Sequence, residues 1–323
     1  MALGEFDLIA RYFTRPVQRA ALGVGDDCAL LRIEPGMQLA TSADLLIEGR
    51  HFLSTVAPER LGHKALAVNL SDLAACGARP LAFTLSLALP QAEAAWLEGF
   101  SRGLLALADA HGCELVGGDT TRGPLAINVS VFGEVPAGQA LLRSGARPGD
   151  DLYVSGRLGD ARLALEVFRG TVSLPGEAFE RVRAAMERPQ PRVALGLALR
   201  GVAHSAIDLS DGLLGDLGHV LQRSGCGARL DVDAVPRSDD LAAQPLPLQR
   251  LCTLAGGDDY ELLFTAPAAQ RDAVAHAADT AGVVVTRIGR IEPEPGLRLV
   301  DAEGRPLANT WTSFDHFLDQ PRP

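Results

Sequence analysis

The stretch SAIDLSDG, at residues 205–212, combines a short apolar run with two aspartates and, between them, Ser210, and a helical pattern follows it. Apolar residues at helical spacing begin with Leu213, which predicts that Ser210 and Asp211 form the N-cap and first turn of a helix. Two carboxylates at one helix start need a cation between them, and Mg²⁺ binds carboxylate oxygens and substrate phosphates together. Taken alone, the stretch also fits a capped surface helix.

Similar acidic stretches recur along the chain. The triplet Leu-Ser-Asp appears again at 70–72, Gly-Asp-Asp at 25–27 is repeated at 257–259, and GGDTTRG at 117–123 predicts a glycine-flanked turn. Closely spaced carboxylates repel one another, so we predict that several Mg²⁺ ions hold acids from both halves of the chain. Clustered metals of this kind serve phosphoryl transfer. The aspartates in this set, which we predict to lie at strand ends or helix starts, are Asp27, Asp44, Asp72, Asp119, Asp208 and Asp211.

Composition excludes several classes of protein. Hydrophobic residues make up 47% of the 323 positions and charged residues 22%, which is typical of a globular protein. A formal net charge of −10 argues against a nucleic-acid or anionic-membrane partner, because both need a basic surface. The apolar runs are too short to span a membrane, and the N-terminus lacks a signal pattern, so a cytoplasmic location is predicted.

Cysteine and lysine usage narrows the chemistry further. The five cysteines are scattered without a Cys-x-x-Cys pair, which argues against a disulfide framework or a structural zinc site. Lys64 is the only lysine, so no Walker-type phosphate loop can be written. Cys28 stands where a dinucleotide fingerprint needs its third glycine. A bound nucleotide would therefore depend on metals, arginines and helix starts.

Hydrophobic periodicity predicts an α+β protein of two domains. Strands are predicted at 29–31, 81–89 and 125–131, with a long helix from Pro58 and a second helix, around Trp96 and Phe100, that ends at Gly112. The first half therefore reads as helices on a mainly antiparallel sheet. Turn formers and charges at 143–150 indicate a boundary. We assign residues 1–138 to an N-terminal metal- and ATP-binding domain and residues 139–323 to a C-terminal α/β sandwich that ends in a polar tail.

Five motifs in this order closely resemble the thiamine-monophosphate kinase family of the aminoimidazole-ribotide synthetase-like superfamily. They are GDDCA at 25–29, KALAVNLSDLAA at 64–75, GGDTTRG at 117–123, AIDLSDG at 206–212 and DYEL at 259–262. The resemblance implies ATP-dependent phosphorylation of thiamine monophosphate to thiamine diphosphate by direct in-line transfer, without a phosphoenzyme. It also implies a homodimer in which the N-terminal domains join their sheets into a barrel.

The resemblance also implies a role for each matching position. The implied Mg²⁺ ligands are Asp27, Ser42, Asp44, Asp72, Asp119, Asp208 and Asp211, and in-line transfer is organised by Asp27, Asp119, Asp208 and Asp211. The implied ATP contacts are Gly118, Asp119, Arg143 and Ser210. The implied thiamine-site residues are His51, Asp258 and Phe314. An acid and an aromatic face suit the cationic thiazolium ring. Asp258 stands where the family usually has glutamate, and Phe314 where tyrosine or tryptophan is common.

Three other functions use the same residues. A different ATP-using synthetase of the superfamily would show the same carboxylates with another acceptor. A metal-dependent phosphatase would use water as the acceptor. A module that binds a nucleotide or thiamine phosphate without turnover would need no catalysis at all.

Overall fold

The computed structural model describes residues 4–313, which form two compact units. The first unit contains the residues up to Ala140 together with Glu187–Leu197. The second contains Leu141–Met186 together with the residues from Ala198 onward. The chain therefore returns to the first unit for one short segment before it completes the second.

The first unit is built on a four-stranded sheet. Its strands are β1 (Met37–Ile47), β2 (Arg79–Leu89), β3 (Glu114–Arg122) and β4 (Ala126–Pro136), in the order β1-β4-β2-β3. β2 and β3 are parallel and the other two ladders are antiparallel, which confirms the predicted mainly antiparallel sheet. The helices of this unit are α1 (Glu5–Leu8), which continues as a π-helical stretch over Ile9–Phe13, then α2 (Pro58–Ala75), α3 (Ala94–His111) and α6 (Val193–Ala198).

Sequence patterning explains these elements well. The alternating apolar side chains of β2 are buried, from Leu81 to Leu89, whereas Ser86 between them is exposed. α2 begins with Pro58 at its first turn, and α3 ends at Gly112, whose φ of 58° is left-handed. Leu66 of α2 and Phe100 of α3 are completely buried. The predictions for strand 81–89 and for both helices are confirmed.

Two sequence predictions in this unit are wrong. Residues 117–123 are not a turn, because β3 runs through Glu114–Arg122. Gly118 has a φ of 146°, and a Cβ there would lie 1.8 Å from the Leu85 carbonyl oxygen, so the glycine permits close approach of β2 and β3. Residues 29–31 form no strand; Leu30 makes an isolated bridge with Leu22, and Leu31 packs against a small buried cluster instead.

The second unit is built on a seven-stranded sheet in the order β11-β10-β7-β9-β5-β8-β6. Its strands are β5 (Asp150–Ser155), β6 (Ser205–Asp208), β7 (Gly227–Asp231), β8 (Leu262–Pro267), β9 (Val285–Glu292), β10 (Gly296–Val300) and β11 (Pro306–Leu307). The β7–β10 ladder is parallel. The helices are α4 (Asp160–Phe168), α5 (Gly176–Glu187), α7 (Leu213–Ser224), α8 (Asp239–Ala242), α9 (Leu246–Ala255) and α10 (Arg271–Ala281).

One core cluster of the second unit lies between α7 and this sheet. Leu217 of α7, Leu152 of β5 and Leu230 of β7 are completely buried in one cluster. The predicted polar tail is wrong within the described residues, because β10 and β11 add two strands there and Trp311 packs against the same cluster. None of the helices between residues 4 and 313 is long and apolar enough to cross a bilayer.

Candidate functional site

Three of the predicted metal ligands come together where β1 packs against α2. The Ser42 hydroxyl donates a hydrogen bond to Asp72 Oδ2 at 2.6 Å, and the Asp44 N–H donates to Asn69 Oδ1 at 3.0 Å. Positions 42 and 44 share one face of the strand, and positions 69 and 72 share one face of the helix. We call Ser42, Asp44 and Asp72 the β1 group. Its aspartates lie inside a strand and in a last helical turn, not at a strand end or helix start as predicted.

A second group lies around a cavity of about 650 Å³ in the same unit. Asp27, Gly118 and Asp119 all line it, and Asp26 Oδ1 accepts a hydrogen bond from the Asp27 N–H at 3.0 Å. Both Asp27 and Asp119 are exposed to solvent. The cavity also has apolar walls, contributed by Phe6, Ile9, Phe13 and Val116. We call Asp27, Gly118 and Asp119 the β3 group.

The two groups occupy opposite edges of the four-stranded sheet. Asp44 on β1 is opposite Val129, which is opposite Leu85, which is opposite Gly118 on β3. Three strand spacings separate the edges, a distance of about 14 Å. Asp119 is one residue beyond Gly118, so its side chain points to the other face of the sheet from that of Asp44. Within one copy of the chain, the sheet does not bring Asp44 and Asp119 together.

His51, a predicted thiamine-site residue, follows the end of β1. Its Nδ1 accepts a hydrogen bond from the Ile47 N–H at 3.0 Å. This contact orients the ring and places the proton of the neutral imidazole on Nε2. The ring is therefore held in one tautomer at the edge of the first sheet.

The SAIDLSDG stretch places its polar residues just after β6. Asp208 is the last residue of β6 and is buried, whereas Ser210 and Asp211 are half-buried. The predicted N-cap is wrong, because α7 begins at Leu213 and Gly212 is its N-cap, with a φ of 115°. A Cβ on Gly212 would lie 3.1 Å from the backbone of α9 at its end. Ser210 and Asp211 therefore lie in the loop between β6 and α7.

The loop that carries Asp258 is tied to this stretch by backbone hydrogen bonds. The Asp258 N–H donates to the Ser210 carbonyl at 2.8 Å, and the Tyr260 N–H donates to the Leu209 carbonyl at 2.8 Å. Asp258 and Tyr260 both have left-handed backbones, with φ of 64° and 50°, which cost free energy in residues that carry a Cβ. Two motifs that lie about fifty residues apart in sequence thus form one structure.

Asp216, which was not predicted from the sequence, supports the same loop. Its Oδ2 accepts hydrogen bonds from the Asp211 N–H at 3.2 Å and the Gly212 N–H at 3.1 Å. Burial and the neighbouring charge of Asp211 raise the pKa of Asp216 to about 7, and the positive charge of Arg143 partly opposes this. The sequence feature that could have identified Asp216 is its position four residues after Gly212, the N-cap.

Asp259 was part of a recognised motif but had no predicted role. Its Oδ1 accepts a hydrogen bond from the Gly159 N–H at 2.9 Å, at the start of α4. Burial, with the nearby charges of Glu261 and Asp160, raises the pKa of Asp259 well above its usual value. Asp259 therefore joins the Asp258 loop to α4. Phe314, the remaining predicted thiamine-site residue, lies outside the described residues.

The donor atoms of the β1 group are of the type that Mg²⁺ prefers. A hydroxyl and two carboxylates supply oxygen donors, without the sulfur or imidazole donors typical of zinc. Between residues 4 and 313, no three His, Cys, Asp or Glu side chains form a group that could hold a metal ion.

Comparison with known proteins gives the family. The protein-family model described as AIR synthase related protein, N-terminal domain, matches residues 25–135. The family model of the corresponding C-terminal domain matches residues 147–302. The thiamine-monophosphate kinase of Salmonella typhimurium is 48% identical over 324 residues, which cover 98% of this chain and 99% of that protein. The chain belongs to the thiamine-monophosphate kinase family.

Solved structures from this kinase family resemble the chain along most of its length. The thiamine-monophosphate kinase of Stenotrophomonas maltophilia K279a has a TM-score of 0.83 at 47% identity, covering 90% of this chain and 94% of that one. AaThiL complexed with AMPPCP and TMP has a TM-score of 0.76 at 30% identity, covering 88% and 89%. Both comparisons extend the kinase resemblance to the fold of the two domains.

Proposed function

We propose that this protein transfers the γ-phosphoryl group of ATP to the phosphate of thiamine monophosphate, giving thiamine diphosphate and ADP. Family membership over nearly the whole chain supports the reaction. The observation that carries it structurally is the 2.8 Å hydrogen bond from the Asp258 N–H to the Ser210 carbonyl. This hydrogen bond keeps Asp258, a proposed thiamine-site residue, next to Ser210, a proposed ATP contact.

The transfer is direct. An oxygen of the thiamine phosphate forms a bond to the γ-phosphorus as the bond from that phosphorus to the bridging oxygen of ADP breaks. Positioning and charge neutralisation carry most of the catalysis in such reactions. No covalent intermediate on the protein is part of this proposal, and Asp27, Asp119, Asp208 and Asp211 organise the transfer as ligands.

We infer that ATP is bound by Gly118, Asp119, Arg143 and Ser210. The cavity beside Gly118 supports this, because its apolar walls suit a nucleobase and its acidic side suits a phosphate–metal pair. The exposed guanidinium of Arg143 can bind a phosphate through two hydrogen bonds. ATP as the donor also agrees with a cytoplasmic location, which we retain as part of the proposal.

We infer that Mg²⁺ is held by Asp27, Ser42, Asp44, Asp72, Asp119, Asp208 and Asp211. Bound Mg²⁺ would neutralise phosphate charge and reduce repulsion between the two substrates. The oxygen donors of the β1 group support this choice of metal. The chain supplies these donors on rigid elements, β1 and α2, so that little reorganisation is needed on binding.

We assign His51, Asp258 and Phe314 to the thiamine site. The carboxylate of Asp258 attracts the cationic thiazolium ring, and its left-handed backbone fixes where that carboxylate is presented. Aspartate is one methylene shorter than the glutamate usual in the family. The hydrogen-bonded loop compensates by holding Asp258 close to Ser210.

We also propose a homodimer whose first-unit sheets join into a barrel. The separation of the β1 and β3 groups on opposite edge strands supports it. Closing a barrel from two copies removes both edges and places an edge of one copy next to an edge of the other. The carboxylates that one copy keeps apart would then meet across the contact between copies.

The test is to incubate the purified protein with ATP, Mg²⁺ and thiamine monophosphate. We expect thiamine diphosphate and ADP in equal amounts, and Asp211→Asn should lower the rate by at least about a hundredfold. Inorganic phosphate released without thiamine monophosphate would identify a phosphatase. Turnover with ATP and aminoimidazole precursors, but not with ATP and thiamine monophosphate, would identify another synthetase. A folded protein that binds the substrates without turnover would leave only a binding module.

A further inference from the structure

Asp44 is held at both ends of its backbone by asparagine side chains. Asn69 Oδ1 accepts the Asp44 N–H at 3.0 Å, and Asn128 Nδ2 donates to the Asp44 carbonyl at 3.1 Å. Asn69 lies on α2 and Asn128 on β4, so side chains from two separate elements are hydrogen-bonded to one residue of β1. The β1–β4 ladder could form without either side chain, because backbone groups make its hydrogen bonds.

Both polar atoms of the Asn69 side chain are hydrogen-bonded in this geometry. Its Nδ2 donates to the Ala65 carbonyl one turn earlier in α2, at 3.0 Å, while its Oδ1 faces the Asp44 N–H. The side chain is completely buried, so neither atom can exchange its partner for water. Aspartate would supply only acceptors here, and leucine would supply neither group. The position needs a side chain with one donor and one acceptor.

Asn69 and the β1 group share one contact surface. On α2, Asn69 and Asp72 lie three residues apart, and on β1, Asp44 and Ser42 lie two residues apart. Asn69 is hydrogen-bonded to Asp44, and Asp72 is hydrogen-bonded to Ser42. The two contacts fix both the rotation of α2 and its position along β1, because either one alone would allow the helix to slide or turn. The relative placement of the Asp44 and Asp72 carboxylates therefore depends on Asn69.

We propose that Asn69 and Asn128 are positioning residues for divalent-cation binding, and that they act by fixing the peptide groups of Asp44. This inference rests on the proposed function only for the identity of Asp44 as a Mg²⁺ ligand. Groups that orient a metal ligand without touching the metal commonly change metal affinity by about 10- to 100-fold. The asparagines contact the main chain of the ligand and not its carboxylate.

The test measures Mn²⁺ binding to the purified protein by electron paramagnetic resonance of the free ion. We expect Asn128→Ala and Asn69→Ala to raise the Mn²⁺ concentration at half-saturation by about tenfold. Asn128 is half-buried, so Asn128→Ala should keep the melting temperature within about 4 °C of wild type. Asn309→Ala is the matched control, because Asn309 is the third asparagine of the chain and is exposed in the second unit.

Kinetics separate positioning from general damage. A positioning role raises the Mg²⁺ requirement while kcat at saturating Mg²⁺ stays within about twofold, whereas partial misfolding lowers kcat at an unchanged Mg²⁺ requirement. If the asparagines act through Asp44, adding Asn128→Ala to Asp44→Asn should change Mn²⁺ binding by less than about twofold.

The outcomes distinguish this proposal from the proposed reaction. Wild-type Mn²⁺ titrations in both asparagine variants would overturn the positioning role and leave kinase activity untouched. Weaker Mn²⁺ binding in a protein that makes no thiamine diphosphate would support the positioning role and reject the reaction. An additive effect in the Asp44→Asn background would show that Asn128 does not act through Asp44, and would overturn the proposal.

Discussion

Asp216 links the stability of the protein to the geometry of its SAIDLSDG loop. Its buried carboxyl group accepts the N–H groups of Asp211 and Gly212, and burial with the charge of Asp211 raises its pKa to about 7. In the unfolded chain the same group titrates near 3.8. The folded protein therefore binds more protons between these values, and its free energy of unfolding falls as the pH rises from about 4 to about 7.

Asp216→Asn should remove this pH dependence. In metal-free buffer, we expect the free energy of unfolding of the variant, relative to that of wild type, to increase by on the order of 2 to 4 kcal/mol between pH 5 and pH 8. Urea denaturation across that range measures it. Asp272→Asn, which changes an exposed aspartate in the first turn of α10, is the matched control and should run parallel to wild type. Parallel curves for Asp216→Asn would contradict the assignment.

At this scale the sequence predicted residue types better than their partners. The recurrent acidic stretches identified Asp44 and Asp72, the family resemblance added Ser42, and the structure brings the three together. Asn69 and Asp216 were not found, because spacing along the chain does not reveal which buried side chain meets which backbone group. Those contacts depend on how α2 meets β1 and how α7 follows β6, which is tertiary information.

Two glycines set the contact between α2 and α3. A Cβ on Gly103 would lie 1.8 Å from the Glu59 carbonyl oxygen, and one on Gly62 would lie 2.0 Å from the Phe100 carbonyl oxygen. Each helix thus places a glycine against the backbone of the other. Any side chain there must push the helices apart and disturb the surface on which Asn69 and Asp72 meet β1.

Gly103→Ala should therefore destabilise the protein although alanine is the better helix former. We expect a loss of about 1 to 3 kcal/mol or more in the free energy of unfolding, measured by denaturant titration. Gly218→Ala is the matched control, because Gly218 is exposed in α7 with open space around its Cα. That variant should gain about 0.5 to 1 kcal/mol. Equal stabilisation in both variants would show that the helices separate without cost.

Elements were predicted correctly where periodicity was strong and wrongly where glycine was misleading. The alternation at 81–89 identified β2, and helical spacing identified α2 and α3. The stretch at 117–123 contains three glycines and was predicted to be a turn, but β3 passes through it. Glycine favours turns and also permits close strand contact, and only the position of Leu85 opposite Gly118 distinguishes the two.

The arrangement of carboxylates in the first unit bears on the whole molecule. The β1 group and the β3 group lie on opposite edges of one sheet, and Asp44 and Asp119 point to opposite faces. If both bind the same substrate, as the proposed function requires, one copy of the chain supplies the β1 group and a second copy supplies the β3 group. The proposed two-copy barrel would bring these edges together, and shared active sites would be its direct consequence.

Shared sites predict that two inactive variants restore each other. In a mixed dimer of Asp44→Asn and Asp119→Asn, one site combines both defects and the other combines two intact groups. Random pairing of equal amounts should therefore recover about 25% of wild-type activity. The measurement is thiamine diphosphate formation after the two differently tagged variants are co-expressed and purified together.

The control uses two variants from the same group. Asp44→Asn mixed with Asp72→Asn leaves a defective β1 group in every site, so this pair should stay inactive. Restoration in the first mixture and not in the second can arise only if each site draws its β1 group and its β3 group from different copies. If neither mixture recovers activity although mixed dimers are isolated through both tags, the two groups must serve one site within a single copy. That result would contradict active sites shared between two copies.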